Sequence, residues 1–303
     1  MKIVIIDAYH DSDRGGVGIL SGLLNTLRSV AAESEQLFEV SIVYRFSDDD
    51  PRFSSATRHI SRSYPDVPIY GAPVRTTRKC KGLHHLLERC RTYLGSFLKL
   101  LCPALFRDRA VTAINSADIV ISKGGQFYRF TTTSPFRGFL SSYTAFYTAL
   151  ICIRLKKRLA FVSHTFGPFN NSGSKCIARY VLNKALYVGC RESISHEVLL
   201  KLGIDPAKLD VIPDTAFALL PASDQWRQDF FKKKGISPES YAVVIAKNWT
   251  FDEHSVDQRR ALYDRYVKVM ARVSDYLGIK ADTVLLVVHN DGKHCDNEND
   301  SVP

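Results

Sequence analysis

The sequence holds no C-x-x-C pair and no grouping of cysteine with histidine at zinc-ligand spacing. Its seven cysteines, Cys80, Cys90, Cys102, Cys152, Cys176, Cys190 and Cys295, are odd in number and far apart. They predict reduced thiols in a cytoplasmic protein, most of them acting as small buried hydrophobes. No apolar run reaches the roughly 20 residues that a bilayer crossing needs. The two most apolar stretches, Tyr93 to Phe106 (broken by Pro103) and Phe139 to Ile153, predict core or interface helices. The basic run Arg154 to Arg158 after the second also suits a helix resting on the inner face of a membrane. The opening Met1 to Asp7 is too short for a signal peptide, lacks a small-residue cleavage site, and reads as a strand. No short internal repeat is present. Acidic residues are outnumbered: 31 Asp+Glu against 41 Lys+Arg leave a formal charge of +10, which favours an anionic partner.

What is present is enough apolar material for two medium domains, 45% hydrophobic residues over 303. Short β-branched runs recur at Ile3 to Ile6, Val40 to Tyr44, Ile119 to Ile121, Leu159 to Val162, Val211 to Ile212, Ala242 to Ile245 and Val284 to Val288. Such runs suit strands covered on both faces. Amphipathic stretches lie between them, at Ile19 to Ala32, Ile177 to Leu186, Ser193 to Leu202 and Gln258 to Leu277. Strand then helix, repeated, predicts an α/β fold with a doubly wound parallel sheet. The polar segment Ser47 to Lys81 reads as a long loop leading to a helix near Gly82 to Leu101. Pro221, the Lys232-Lys233-Lys234-Gly235 run and Pro238 mark a boundary, giving an N-terminal domain over 1–222 and a second over 240–303. The second is short enough to predict an incomplete domain.

Five segments place polar or glycine residues just after apolar strands. The first is Asp13-Arg14-Gly15-Gly16-Val17-Gly18, a glycine-rich turn opening a helix, where exposed N–H groups and the helix dipole favour an anion. It is neither G-x-G-x-x-G nor a Walker loop, so a plain tight turn is the alternative. The second is a strand ending in Gly124-Gly125, beyond which ligands of open α/β sheets bind, against a plain bend in the chain. The third, Phe161 to Phe169, sets His164 at a strand tip, as a proton shuttle or as a structural histidine. In the fourth, Gly189-Cys190-Arg191-Glu192-Ser193, the Arg191 fork suits a carboxylate or phosphate, against an ion pair with Glu192 or Asp214. Ser193 is placed as a helix N-cap. The fifth is Pro213-Asp214-Thr215-Ala216-Phe217, where loop support by Asp214 stands ahead of catalysis.

Taken in order, these segments resemble the polysaccharide pyruvyl transferase family: a Gly-rich first loop, a strand ending in Gly-Gly, a Gly-Pro-Phe turn at Gly167 to Phe169, an Arg-acid-x-x-Ser turn from Arg191, and Pro213-Asp214-x-Ala216-Phe217. The likeness runs over residues 1 to about 220 and extends weakly to the strands at Ala242 and Val284. It implies a Rossmann-like fold of the GT-B type, with two domains and the second apparently truncated.

The resemblance also implies a reaction. Phosphoenolpyruvate donates a pyruvyl group to a hydroxyl pair of a sugar or lipid-linked oligosaccharide, forming a ketal in exopolysaccharide synthesis with no further cofactor and no metal. Gly15, Gly16, Gly18, Gly124, Gly125, Arg191 and Asp214 would then border the substrates, and His164 and His289, the latter at the tip of Leu286-Val287-Val288, would supply acid and base. Family members carry an Arg-x-His segment late in the second domain that this sequence does not reach. Two other functions fit the same composition. One is a sugar-nucleotide glycosyltransferase on the same fold. The other is a non-catalytic basic glycan-binding protein. A nucleic-acid partner is disfavoured, because aromatic residues do not interleave the arginines between Arg45 and Arg91.

Overall fold

The computed structural model describes residues 1–74, 83–106, 108–247, 251 and 255–288. The chain divides into two compact units, one of residues 1–11 and 15–219, the other of residues 12–14 and 220–303.

The first unit is a parallel sheet with helices on both faces. Its strands are β1 (Lys2–Ala8), β2 (Glu39–Tyr44), β3 (Ile69–Tyr70), β4 (Ile119–Ser122), β5 (Gly125–Phe130), β6 (Arg158–Phe169), β7 (Tyr187–Cys190) and β8 (Leu209–Val211). They lie in the order β3-β2-β1-β4-β6-β7-β8, every pairing parallel, with β5 alongside the second half of β6. This is the Rossmann-like, doubly wound class that the strand-helix alternation predicts. The helices are α1 (Arg14–Glu33), α2 (Phe53–Ala56), α3 (Arg58–Ser63), α4 (Leu83–Leu101), α5 (Arg109–Ser116), α6 (Pro135–Ala145), α7 (Tyr147–Arg154), α8 (Ser172–Lys184) and α9 (Ser193–Leu202).

β1 shows why both faces must be covered. Successive side chains of a strand point to opposite faces, and here Ile3 and Ile5 enter one core with Leu20, Leu23 and Leu24 of α1, while Val4 and Ile6 enter the other with Val111, Ile114 and Ile151. Local capping fixes the helix starts. Asp108 accepts from the N–H groups of Ala110 and Val111, Ser134 caps α6 ahead of Pro135, and Asn171 accepts from Ser174 N–H. α9 stops at Gly203, whose φ of +81° is the left-handed conformation glycine takes freely.

Three expectations are corrected. Ser47 to Lys81 is not one long loop, since α2, α3 and β3 form within its described part. Glu192, not Ser193, is the N-cap residue of α9. Of the five cysteines described, Cys152 and Cys190 are buried but Cys90, Cys102 and Cys176 are exposed. No helix among the described residues is long and apolar enough to cross a membrane.

The second unit contains α10 (Asp224–Lys234) and a βαβ segment: β9 (Tyr241–Ala246), α11 (Val256–Lys280) and β10 (Thr283–Val288), with β9 and β10 paired in parallel. A capping box between Ser255 and Gln258 starts α11. Its buried hydrophobic residues are Ile236 and Val244 among those described, a thin core for two strands.

Candidate functional site

The strand order reverses between β1 and β4, β1 leading outward to β2 and β4 to β6. At such a switch point the loops beyond the strand tips part and leave a crevice for a ligand. Four side chains meet there inside the protein. Asp7, Ser122, Tyr128 and His164 are all at most 3% exposed. Asp7 Oδ2 accepts from Ser122 Oγ at 2.7 Å and from Tyr128 OH at 2.9 Å. Ser122 Oγ also lies 3.0 Å from His164 Nε2, and Ser122 O lies 3.2 Å from it. Because the serine proton is already donated to Asp7, that contact requires the imidazole proton to sit on Nε2. Nδ1 is left as a buried lone pair without a hydrogen-bond partner among the described residues. Burial pushes the imidazole down to about 3, so it stays neutral. Asp7 itself has φ +67°, a conformation that costs a non-glycine residue about 1–2 kcal/mol and recurs where function constrains the backbone.

Beside this group, the loops after β4, β6, β7 and β8 are tied to each other and to the start of α1. Lys123, also buried, donates from Nζ to Gly16 O at 3.0 Å. Ser163 Oγ donates to Pro213 O at 2.9 Å. Arg191 donates from Nη1 to Asp214 Oδ2 at 2.8 Å and from Nη2 to Thr165 Oγ1 at 2.7 Å, with Glu192 Oε2 3.6 Å from its Nε. Thr165 Oγ1 in turn donates to Glu192 Oε2, and Ser195 Oγ donates to Glu192 Oε1 and accepts from Phe166 N–H. The Arg-acid-x-x-Ser turn thus clamps β6 to β7, and Asp214 links it to the last loop while its Oδ1 accepts from Ala216 N–H.

The predicted residues therefore gather along one edge, though several change role. Gly15, Gly16 and Gly18 lie within the first turns of α1 rather than in a turn before it. A Cβ on Gly18 would meet its nearest neighbours at 4.0 Å, so nothing there demands glycine. Gly124 is demanded, since a Cβ would stand 2.6 Å from Ser163 O. The Gly124-Gly125 pair interrupts a strand line rather than ending it, because β5 starts at Gly125. His164 is not at a tip either: β6 runs on to Phe169, and Gly125 pairs with His164 in register. Arg191 and Asp214 hold each other as an ion pair at 2.8 Å. His289 lies outside the described residues.

Sequence reading missed the residues on the other side of Asp7. A cavity of about 340 Å³ opens there, lined among others by Asp7, Tyr9, Arg45, Phe46, Tyr93 and Tyr143. Arg45 follows β2, and its guanidinium lies over the Phe127 ring at 4.8 Å. The available signal was a charged residue directly after each of the apolar runs of β1 and β2.

Comparison with known proteins gives this edge a family. The model of the polysaccharide pyruvyl transferases matches residues 36–300. The chain belongs to the polysaccharide pyruvyl transferase family. The pyruvyl transferase match takes in the second unit as fully as the first, further than the motifs alone reach, and begins after the glycines of α1. The amylovoran biosynthesis protein AmsJ of Erwinia amylovora is 24% identical over 220 residues, 72% of this chain and 49% of that protein. The chain thus spans about half the length of that relative. Among solved structures, the Anabaena protein HepE in complex with UDP is 13% identical with a TM-score of 0.47, over 95% of this chain and 69% of that one. The UDP-GlcNAc 2-epimerase of Methanocaldococcus jannaschii is 12% identical with a TM-score of 0.42, over 81% and 56%.

Proposed function

We propose that the protein transfers a pyruvyl group from phosphoenolpyruvate to two hydroxyls of one sugar, forming a cyclic ketal during exopolysaccharide synthesis. The observation that carries this reading is the pyruvyl transferase match across residues 36–300. The Erwinia relative, named for amylovoran biosynthesis, supports the exopolysaccharide setting.

The reaction needs a base for the sugar hydroxyl and an acid for the donor's methylene carbon. His164 suits neither role, being neutral, sealed and committed through Nε2 to Ser122. Asp7 suits the first. Its carboxylate is held at Oδ2 by two hydroxyls, it lines the cavity, and Oδ1 accepts from no described residue. One sugar oxygen bonds to C2 of the donor as its proton passes to Asp7 and C3 gains a proton to become a methyl group. The C2–phosphate bond then breaks, and the second hydroxyl closes on C2 with loss of its proton. The products are the ketal and inorganic phosphate. His289, from the sequence, is the candidate acid. Arg191 borders the donor through the N–H groups that Asp214 and Thr165 leave free, two of its five being donated within the protein.

The full-length protein, given phosphoenolpyruvate and an acceptor glycan, is expected to release phosphate only when the acceptor is present, and Asp7→Asn to lower that rate by about 10²-fold or more. Release of a nucleoside diphosphate from a sugar nucleotide, with no phosphate from phosphoenolpyruvate, would overturn the reading.

A further inference from the structure

The cavity beside Asp7 has a chemistry that the transfer reaction alone does not explain. About 340 Å³ falls in the range of small-ligand pockets. Its wall is aromatic and hydroxylic at once, with Phe46, Tyr93 and Tyr143 beside Thr92, Thr144 and Thr148. Ring faces pack against the C–H faces of a pyranose and hydroxyls pair with its hydroxyls, so this mixture suits a sugar better than a purely apolar guest. Arg45 is one of three charged residues in the lining, with Asp7 and Arg52. Arg52, the other arginine there, is bound through two nitrogens to Asp50. The Arg45 side chain donates to no described residue, and its guanidinium lies over the Phe127 ring at 4.8 Å. The ring holds the guanidinium plane in place and leaves its fork of N–H groups free, which is the arrangement that takes a planar carboxylate in two parallel hydrogen bonds.

Resting on the transfer reading for the word acceptor, we propose that this cavity seats the acceptor sugar and selects one bearing a carboxylate. Arg45 takes that carboxylate, the aromatic wall takes the ring, and Asp7 Oδ1 accepts from a hydroxyl on the ring's far side. The opposed charges of Arg45 and Asp7 orient the sugar, since a carboxylate turned towards Asp7 is repelled. A neutral hexose fills the same space but leaves the guanidinium without a partner.

The test is a binding titration of the full-length protein, without donor, against a methyl hexuronide and the matching neutral methyl hexoside. The uronide is expected to bind about 10- to 100-fold more tightly, the range for charge-assisted hydrogen bonds. Arg45→Gln is expected to abolish that preference while leaving the neutral hexoside's affinity within about threefold, and Arg45→Lys to restore part of it. The neutral sugar's retained binding reports that the variant is folded. Equal affinity for the two sugars, or a preference that survives Arg45→Gln, overturns the proposal. So does displacement of the uronide by phosphoenolpyruvate with the same dependence on Arg45, because the cavity would then be a donor site. Since no turnover is involved, uronide binding without phosphate release counts against the transfer reading alone, and phosphate release with only neutral acceptors counts against this one alone.

Discussion

His164 shows how a few residues of extra strand change what a side chain can do. At a strand tip it would meet solvent and titrate near neutrality; inside β6, ringed by Phe127, Tyr128, Phe161 and Phe166, it is dry and neutral. Folded, it stays unprotonated until about pH 3, whereas unfolded it takes up a proton below about 6.5. The unfolded chain thus binds more protons between those values, and stability falls as pH is lowered through that window. At pH 4 the contribution is on the order of 3 kcal/mol. Thermal denaturation from pH 7 to pH 4 is expected to show a shallower loss for His164→Gln than for the wild type, since both keep the same titrating carboxylates. Parallel slopes would mean that His164 is not buried as a neutral ring. In the sequence Asp7 stands only as the residue after the apolar run Ile3 to Ile6, and its partners were not legible. Ser122, Tyr128 and His164 come from three separate strands, and only the sheet order brings them to it.

Most strands and helices of the first unit were readable because both faces of its sheet are covered, which leaves apolar runs for β1, β2 and β4; β9 and β10 of the second unit carry similar runs although Val243, Ile245 and Leu286 are exposed. β5 was not. Its Gly125-Gln126-Phe127-Tyr128-Arg129-Phe130 begins on a glycine that reads as a bend, and it is a strand only because β6 continues far enough to pair with it. The same extension moved His164 off the tip. Glycine roles were equally hard to read, because they depend on what packs opposite. A Cβ on the predicted Gly18 would make ordinary van der Waals contacts at 4.0 Å, while the unremarked Gly22 lies against Thr215, where a Cβ would stand 1.8 Å from the carbonyl oxygen. Thr215 Oγ1 also donates to Ile19 O, and Asn25 Nδ2 to Ala218 O, so α1 and the Asp214 segment are packed backbone to backbone. Gly22→Ala is therefore expected to cost about 2–4 kcal/mol. Gly18→Ala is expected to be neutral or to gain about 0.5–1 kcal/mol from helix propensity. Urea unfolding of the two variants measures both, and equal stabilities would refute the packing.

For the molecule as a whole, the order of motifs along the chain carried more than any one of them. Five loops meet at one edge of one sheet, as their places after apolar strands predicted. At that edge Arg191 is matched by Asp214 and Glu192, while Arg45, across Asp7, meets no described carboxylate. A net charge of +10 locates neither, because it counts charges without their partners. The most direct measurement is to follow phosphoenolpyruvate labelled with carbon-13 at C2 through incubation of the full-length protein with its acceptor glycan. The account predicts that the label appears in the glycan as a ketal carbon, in step with released phosphate. Label that stays in phosphoenolpyruvate or free pyruvate, while the glycan grows by a sugar and a nucleoside diphosphate is released, would contradict it.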